Sequence, residues 1–210
     1  MTGLILVRHG ETEWNVAGVF RGQIDIGLSE TGVKQAELLA GYLSTSSIEA
    51  VYSSPLKRAL RTAEAIARPH GLKVKAEPDL IDLNFGRWQG LAREEVKGKY
   101  GELYATWVTH PEKARMPEGE TLDDVRKRVA RLVKGIMENH GGTVVLVGHR
   151  VVNKVMLCAL LGLDDSHFWK IRQDACGISI FTCRSGQFIL AKHNDTSFLK
   201  PVAGAPRGDF

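Results

Sequence analysis

The sequence predicts an α/β domain built on a largely parallel sheet with helices packed against it. Three observations predict it. Short apolar runs occupy residues 3–7, 49–52 and 143–147; a stretch of helical periodicity follows each; and glycine, proline or paired serines punctuate the joins.

Residues 3–7 are a brief apolar run beside glycine, which reads as a buried strand. A loop follows through Gly10, Gly18, Gly22 and Gly27. Ser29-Glu30-Thr31-Gly32 opens a helix reaching Leu43, because Val33, Ala36, Leu39, Ala40 and Leu43 recur at helical spacing. Residues 49–52 form a second buried strand, which ends at Ser53-Ser54. Pro55 is placed in the first turn of the next helix, whose alanine-rich periodicity spans 56–67. Residues 73–76 alternate as a short strand, and 80–90 are irregular, with Gly86 and Gly90 marking loop. Two short helices are expected over 92–100 and 102–108, then a long one over 121–139, stopped by His140-Gly141-Gly142. Thr143 to Val147 are five β-formers in succession and predict a central strand. It breaks at Gly148-His149 into a helix over 151–161, stopped by Gly162. Residues 176–183 and 187–193 form a closing hairpin over Arg184-Ser185-Gly186. There are no internal repeats and no interdomain linker. Residues 1–210 therefore read as one domain, with a small cap or insert over about 80–120 and a mobile Pro- and Gly-rich tail over 201–210.

Composition excludes several classes of function. At 210 residues with 43% hydrophobic and 25% charged residues, the chain can bury a sizeable core. The formal charge of +4 is carried by basic residues interleaved with acids, as in Ala92-Arg93-Glu94-Glu95-Val96-Lys97. That is a mixed solvated surface and argues against nucleic-acid binding, although it favours small anions. Three cysteines, Cys158, Cys176 and Cys183, have no CxxC spacing and read as reduced thiols of a cytoplasmic protein. The apolar start is too short for a signal peptide, and no stretch is long enough for a membrane span.

Ligands of open α/β sheets bind beyond the carboxyl ends of the strands. Three short segments fall at those ends: Arg8-His9-Gly10, Ser53 to Arg58, and Gly148-His149-Arg150. Together they offer an imidazole nucleophile, planar guanidinium clamps for phosphate and backbone that an anion can approach closely. Arg58 lies one helical turn past Pro55 and can point back to the same pocket.

The stretch Leu6-Val7-Arg8-His9-Gly10-Glu11-Thr12-Glu13-Trp14-Asn15 resembles the signature of the histidine phosphatase superfamily, which contains the cofactor-dependent phosphoglycerate mutases. Asp25 to Gly32 resembles its D-x-x-L-x-x-x-G block, Ser53 to Ala59 its S-S-x-L-x-R-A block, and Phe85 to Gly90 its F-G-x-W-x-G block. Gly119-Glu120-Thr121 and Val147-Gly148-His149 complete six ordered blocks, and the likeness extends to about residue 195. The resemblance implies a phosphoglycerate mutase-like three-layer sandwich with a mostly parallel central sheet.

It further implies that His9 is the nucleophile, with Arg8, Arg58 and His149 around the phosphate and Asn15 as a further contact. Phosphoryl transfer asks for an in-line nucleophile and charge stabilisation, which two arginines and a protonated His149 would supply with neither metal nor cofactor. The same charges would keep His9 neutral, as a nucleophile must be. His70, His110, His140, His167 and His193 are expected at the surface or in structural roles. Where relatives carry a glutamate as proton donor, this chain has Asp82; Asp79 is its nearest competitor. Arg21 replaces the glutamine common in phosphatase relatives and is assigned to the phosphate-binding group, with a preference for substrates carrying a carboxylate or second phosphate. Arg150 is likewise unusual.

The expected activity is a histidine acid-type phosphomonoesterase acting through phosphohistidine on a small metabolite. A bisphosphoglycerate-dependent mutase is the alternative and a catalytically idle binding module the third reading. The insert after Asp82 is shorter than mutase relatives carry. Phe85 stands where relatives specific for phosphoserine carry histidine, which leaves the substrate open, as is homodimerisation.

Overall fold

The computed structural model of the chain describes residues 3–184 and 186–202. In chain order the elements are β1 (Gly3–Arg8), α1 (Glu13–Val16), α2 (Glu30–Leu43), β2 (Ile48–Ser53), α3 (Lys57–Ala67), β3 (Val74–Ala76), α4 (Arg93–Lys99), α5 (Gly101–Thr109), α6 (Leu122–Asn139), β4 (Thr143–Gly148), α7 (Arg150–Leu160), β5 (Ile178–Arg184) and β6 (Gln187–Asp195). The strands form one six-stranded sheet in the order β3-β2-β4-β1-β5-β6. β3, β2, β4 and β1 run parallel, while β5 and β6 extend the sheet as an antiparallel hairpin beside β1. The expected mostly parallel sheet between helical layers is what the chain forms.

Alternation along the central strands divides the core in two. Leu4 and Leu6 of β1, with Val144 and Leu146 of β4, face α6 and α7, where Val129, Val133, Val152 and Val155 meet them. Ile5, Val7, Val145 and Val147 point the other way, into Leu39 and Leu43 of α2 and Ala59, Ala63 and Ile66 of α3. A side-chain period of two makes this inevitable for a strand covered on both faces. Each fully buried Val, Leu or Ile contributes about 1.5–3 kcal/mol relative to exposure, so the central strands anchor the domain.

Residues 80–120 do not build a core of their own. Leu80, Leu83, Phe85, Trp88, Val96, Trp107 and Met116 belong to the same buried cluster as Leu4 and Leu146. Phe20 wedges edge-on against Phe85 and Trp88, each 5.1 Å away between ring centres. Gly86, at φ 52°, lies so close to the 117–119 backbone that a Cβ there would sit 1.9 Å from the Pro117 carbonyl oxygen, so glycine is required.

Helix starts follow their caps. Ser29 accepts from the Gly32 N–H at 3.1 Å, and Thr121 and Asp124 form a reciprocal capping box on α6; caps of this kind contribute about 1 kcal/mol each. Three sequence expectations need correction. The glycine-rich stretch after β1 contains α1, nucleated by a Thr12–Asn15 capping box. Pro55 precedes the helix instead of occupying its first turn: α3 starts at Lys57 with Leu56 as its N-cap, and the Leu56 N–H is taken by the Ser54 hydroxyl at 3.3 Å. Pro201 and Val202 close a 3₁₀ turn, Ser197–Val202, so they do not belong to a tail; the expected tail from 203 onward, and Ser185 of the expected hairpin turn, lie outside the described residues. No helix among the described residues is long and apolar enough to cross a membrane.

Candidate active site

Arg8-His9, Ser53-Ser54 and Gly148-His149 converge beyond the carboxyl ends of β1, β2 and β4. The parallel register brings Arg8 opposite Gly148 and Ser53 opposite Val147, and the His9 N–H donates to the Gly148 carbonyl at 3.0 Å. His9 and His149 meet edge-to-face with ring centres 5.1 Å apart. Both imidazoles, Arg8, Arg58 and Asp82 are buried.

His9 Nδ1 lies 2.6 Å from the Gly10 carbonyl oxygen. A carbonyl can only accept, so Nδ1 carries the proton and the lone pair of the neutral ring resides on Nε2. Burial drives the His9 pKa well below its ordinary value; Arg58, Arg8 and Arg21 add to the shift, and the Gly10 bond opposes it. The backbone here is held from outside: the Gly10 N–H donates to Thr62 Oγ1 at 3.1 Å, and that hydroxyl donates to the Arg58 carbonyl at 2.9 Å. A Cβ on Gly10 would come 2.6 Å from the Gly32 carbonyl oxygen, so the loop carrying His9 abuts the start of α2.

His149 Nε2 is 2.8 Å from Ser54 Oγ, whose lone pair already receives the Leu56 N–H. A Ser54 hydroxyl that donates to Nε2 places the ring proton on Nδ1, which is buried without a hydrogen-bond partner among the described residues, 3.8 Å from Asp82 Oδ2. Sequence reasoning expected a protonated His149. Burial, then Arg58, His9 and Arg21, push its pKa well below the ordinary value, so in this ligand-free site the ring is neutral. The Asp82 carboxyl moves the opposite way. Burial raises its pKa against the pull of Arg58 and Arg21, favouring the protonated acid. With the His149 ring neutral, the Asp82–His149 contact is not an ion pair.

Arg58 is fully buried at the start of α3. It donates from NH1 to the Ile24 carbonyl at 2.8 Å and from NH2 to the Gly22 carbonyl at 2.7 Å, with Asp82 Oδ2 3.6 Å away. Arg8 donates to the Gln173 carbonyl. Asp82 is fixed through its own backbone: its carbonyl accepts from Gln23 Nε2 at 3.1 Å and from Arg128 NH2 at 3.3 Å, and its Oδ1 accepts the Leu83 N–H at 3.0 Å. Asp79, the competitor, faces away: its carboxylate reaches Arg131 of α6 at 3.4 Å.

Arg21 and Arg150 are half-buried beside this cluster. Burial, with the nearby Arg8 and Arg150 charges, pushes the Arg21 pKa down to about 9. Asn15 uses its amide oxygen to accept from the Thr12 N–H and hydroxyl at 2.9 and 2.8 Å, so it shapes the loop after His9. Among the remaining histidines, His140 bridges Tyr52 and Glu49 far from the site. No group of three or more His, Cys, Asp or Glu among the described residues could hold a metal ion.

Sequence reasoning missed Ser54, Thr62, Gln23, Arg128 and Gln173. Ser54 lies within a recognised block and Thr62 one turn after Arg58, so both left a signal. Gln173 serves Arg8 through its carbonyl, which any residue type offers.

Comparison with known proteins places this arrangement. The sequence model of the histidine phosphatase superfamily (branch 1) matches residues 4–196. Phosphoserine phosphatase 1 of Hydrogenobacter thermophilus is 42% identical over 200 residues, covering 95% of each chain. The solved structure of Bacillus stearothermophilus YhfR superposes with a TM-score of 0.91 at 29% identity, covering 95% of this chain and all of its own. Phosphoserine phosphatase from Entamoeba histolytica, solved in complex with 3-phosphoglyceric acid, gives 0.86 at 32% identity, again over 95% of this chain and all of its own.

Proposed function

The chain belongs to the histidine phosphatase superfamily, and from that premise we propose that it is an acid-type phosphomonoesterase whose His9 Nε2 takes the phosphoryl group. One observation carries the assignment: the Gly10 carbonyl fixes the proton on His9 Nδ1, which leaves a buried, neutral Nε2 lone pair among Arg8, Arg58 and Arg21.

In the first step the P–Nε2 bond forms as the ester P–O bond breaks, and the Asp82 carboxyl gives its proton to the leaving oxygen. Arg8 and Arg58 hold the equatorial oxygens as charge develops, their guanidiniums already positioned by backbone carbonyls. His149 presents Nδ1–H to the phosphate, and the incoming dianion favours its protonation. In the second step water attacks phosphorus, its proton passes to the Asp82 carboxylate and the P–N bond breaks, releasing phosphate and restoring the site.

The chain's own cations supply the positive charge, so chelation with EDTA is expected to leave the rate unchanged. The acid-type assignment rests on Asp82. It must enter protonated, so hydrolysis of alkyl phosphates falls as pH rises through its elevated pKa. The free cysteines support a cytoplasmic setting. Phosphoserine is the first substrate to test, on the strength of the relatives named above. Phe85, where a phosphoserine-specific relative would place a histidine, is packed into the aromatic core.

Rapid quench with a labelled phosphomonoester tests the reading. The label should appear on His9 as an alkali-stable, acid-labile phosphoramidate and chase into inorganic phosphate. Label on Ser53 or a cysteine overturns it, and primer-stimulated conversion of 3- to 2-phosphoglycerate faster than phosphate release would establish a mutase.

A further inference from the structure

We propose that Arg21 forms a second anion subsite at the mouth of the pocket, which grips a carboxylate or second phosphate on the substrate's leaving group. This deepens the phosphomonoesterase reading and rests on it.

The arginines around His9 differ in what holds them. Arg8 and Arg58 lie on the floor, 8% and 0% exposed, and donate to the carbonyls of Gln173, Gly22 and Ile24. Arg21 is half-buried, more exposed than either. Among the described residues its guanidinium enters no ion pair and donates no hydrogen bond, and its Nε is buried without a partner. An Nε–H withdrawn from water without an acceptor is unfavourable, and an anion delivering two acceptor oxygens in one plane, to Nε and a terminal nitrogen, removes that penalty.

The backbone cannot carry Arg21 elsewhere. Phe20 is locked between Phe85 and Trp88, the Gly22 carbonyl holds Arg58, and Gln23 ties itself to the Asp82 carbonyl. A Cβ at Gly22 would strike the Gln89 side chain, at 2.1 Å from its amide oxygen. Arg150 is the first residue of α7, directly after His149, and is also half-buried. The Arg21 charge acts on His9, His149 and Asp82, and its chain neighbours Gly22 and Gln23 bond to Arg58 and to the Asp82 carbonyl, so it lies beside the same group.

Charge points the same way. Among the described residues the Arg21 guanidinium enters no ion pair, so a leaving group with its own anion matches that charge, whereas an alcohol leaves it uncompensated.

The test measures binding in the His9→Ala background by calorimetry, so it needs no turnover. Matched pairs isolate the second anion: 3-phosphoglycerate against glycerol 3-phosphate, phosphoserine against phosphoethanolamine, and propane-1,3-diol bisphosphate against propyl phosphate. The parent should prefer the acidic member of at least one pair; the first two pairs report a carboxylate and the third a second phosphate. Adding Arg21→Gln should shrink that preference at least tenfold, and Arg21→Lys should restore part of it. Equal weakening of both members would mean that Arg21 clamps the transferring phosphate, and no change would mean that it binds no anion; either overturns the proposal. Failure to trap phosphate on His9 would instead overturn the hydrolytic reading and leave these binding ratios legible. An unchanged melting temperature in the Gln variant excludes misfolding as the cause.

Discussion

The floor and the rim of the pocket use the same residue type held in different ways. On the floor, Arg58 is gripped by two carbonyls from the 22–24 loop, and Arg8 donates to the Gln173 carbonyl; both are buried. On the rim, Arg21 has a fixed backbone and a guanidinium that bonds to nothing among the described residues. Groups positioned before substrate arrives need less reorganisation during the reaction, which suits a phosphoryl group common to all substrates. A group satisfied only by substrate adds affinity that depends on which substrate it is. On the proposed reading, chemistry belongs to the tethered set and selectivity to the untethered one.

That division can be broken most directly at His9. His9→Ala should lower turnover of every phosphomonoester by roughly 10⁴–10⁶, alkyl and aryl alike, because the nucleophile serves them all. Steady-state phosphate release checks this, and a loss confined to one substrate class would move His9 from the floor's role to the rim's.

Asp82→Asn sharpens the comparison within the floor. Proton donation contributes roughly 10²–10⁴ in rate where the leaving oxygen needs a proton. Alkyl phosphates should lose that much, and p-nitrophenyl phosphate, whose phenolate leaves unprotonated, far less. In the parent enzyme the alkyl substrates alone should lose activity as pH rises through the elevated Asp82 pKa. Equal losses for the two substrates would reduce Asp82 to a loop anchor.

Ser54→Ala touches the floor without touching substrate. Removing the hydroxyl strips His149 Nε2 of its partner and frees the ring to change tautomer. A fall of about tenfold in kcat with KM little changed is expected, the scale of one lost buried hydrogen bond. Nitrogen NMR of the imidazoles reads the tautomer directly: protonation only at Nδ1 in the parent and a mixture in the variant. An unchanged spectrum would show that something else orients the ring.

The smallest effect concerns stability. His9 and His149 have folded-state pKa values below their unfolded ones, so unfolding takes up protons as pH falls through about 6.5. Stability is therefore highest above that pH and declines below it, by roughly 1 kcal/mol per histidine between pH 6.5 and 5.5. Denaturant titrations at the two pH values measure it, and His9→Ala should remove its share. Stability that did not fall would contradict the burial-driven shifts.

The fold was readable where burial imposes a period. β1 and β4 are apolar on both faces, and α2, α3 and α6 carry stripes at helical spacing. α1 was hidden by the glycines around it, although Thr12 and Asn15 stand at capping-box spacing. For the site, side chains that act as side chains were legible: Arg8, His9, Arg58 and His149 meet as the strand ends suggested. What holds them was not. The carbonyls of Gln173, Gly22 and Ile24 have no residue signature, and the link from Arg128 to the Asp82 loop exists only once α6 has packed. Protonation was the other blind spot, because His149 looked like a cation until its burial was known.

The register of β1 with β4 also fixes when, during synthesis, this chemistry can exist. Gly3 pairs with Thr143 and Arg8 with Gly148, and the His9 N–H needs the Gly148 carbonyl. At about 5–20 residues per second, roughly 7 to 30 s separate the two histidines on a translating ribosome. Throughout that interval β1 has neither of its neighbours, since β5 arrives later still. The nascent chain thus carries an apolar strand awaiting its partner, and the pairing that joins β1 to β4 also assembles the pocket.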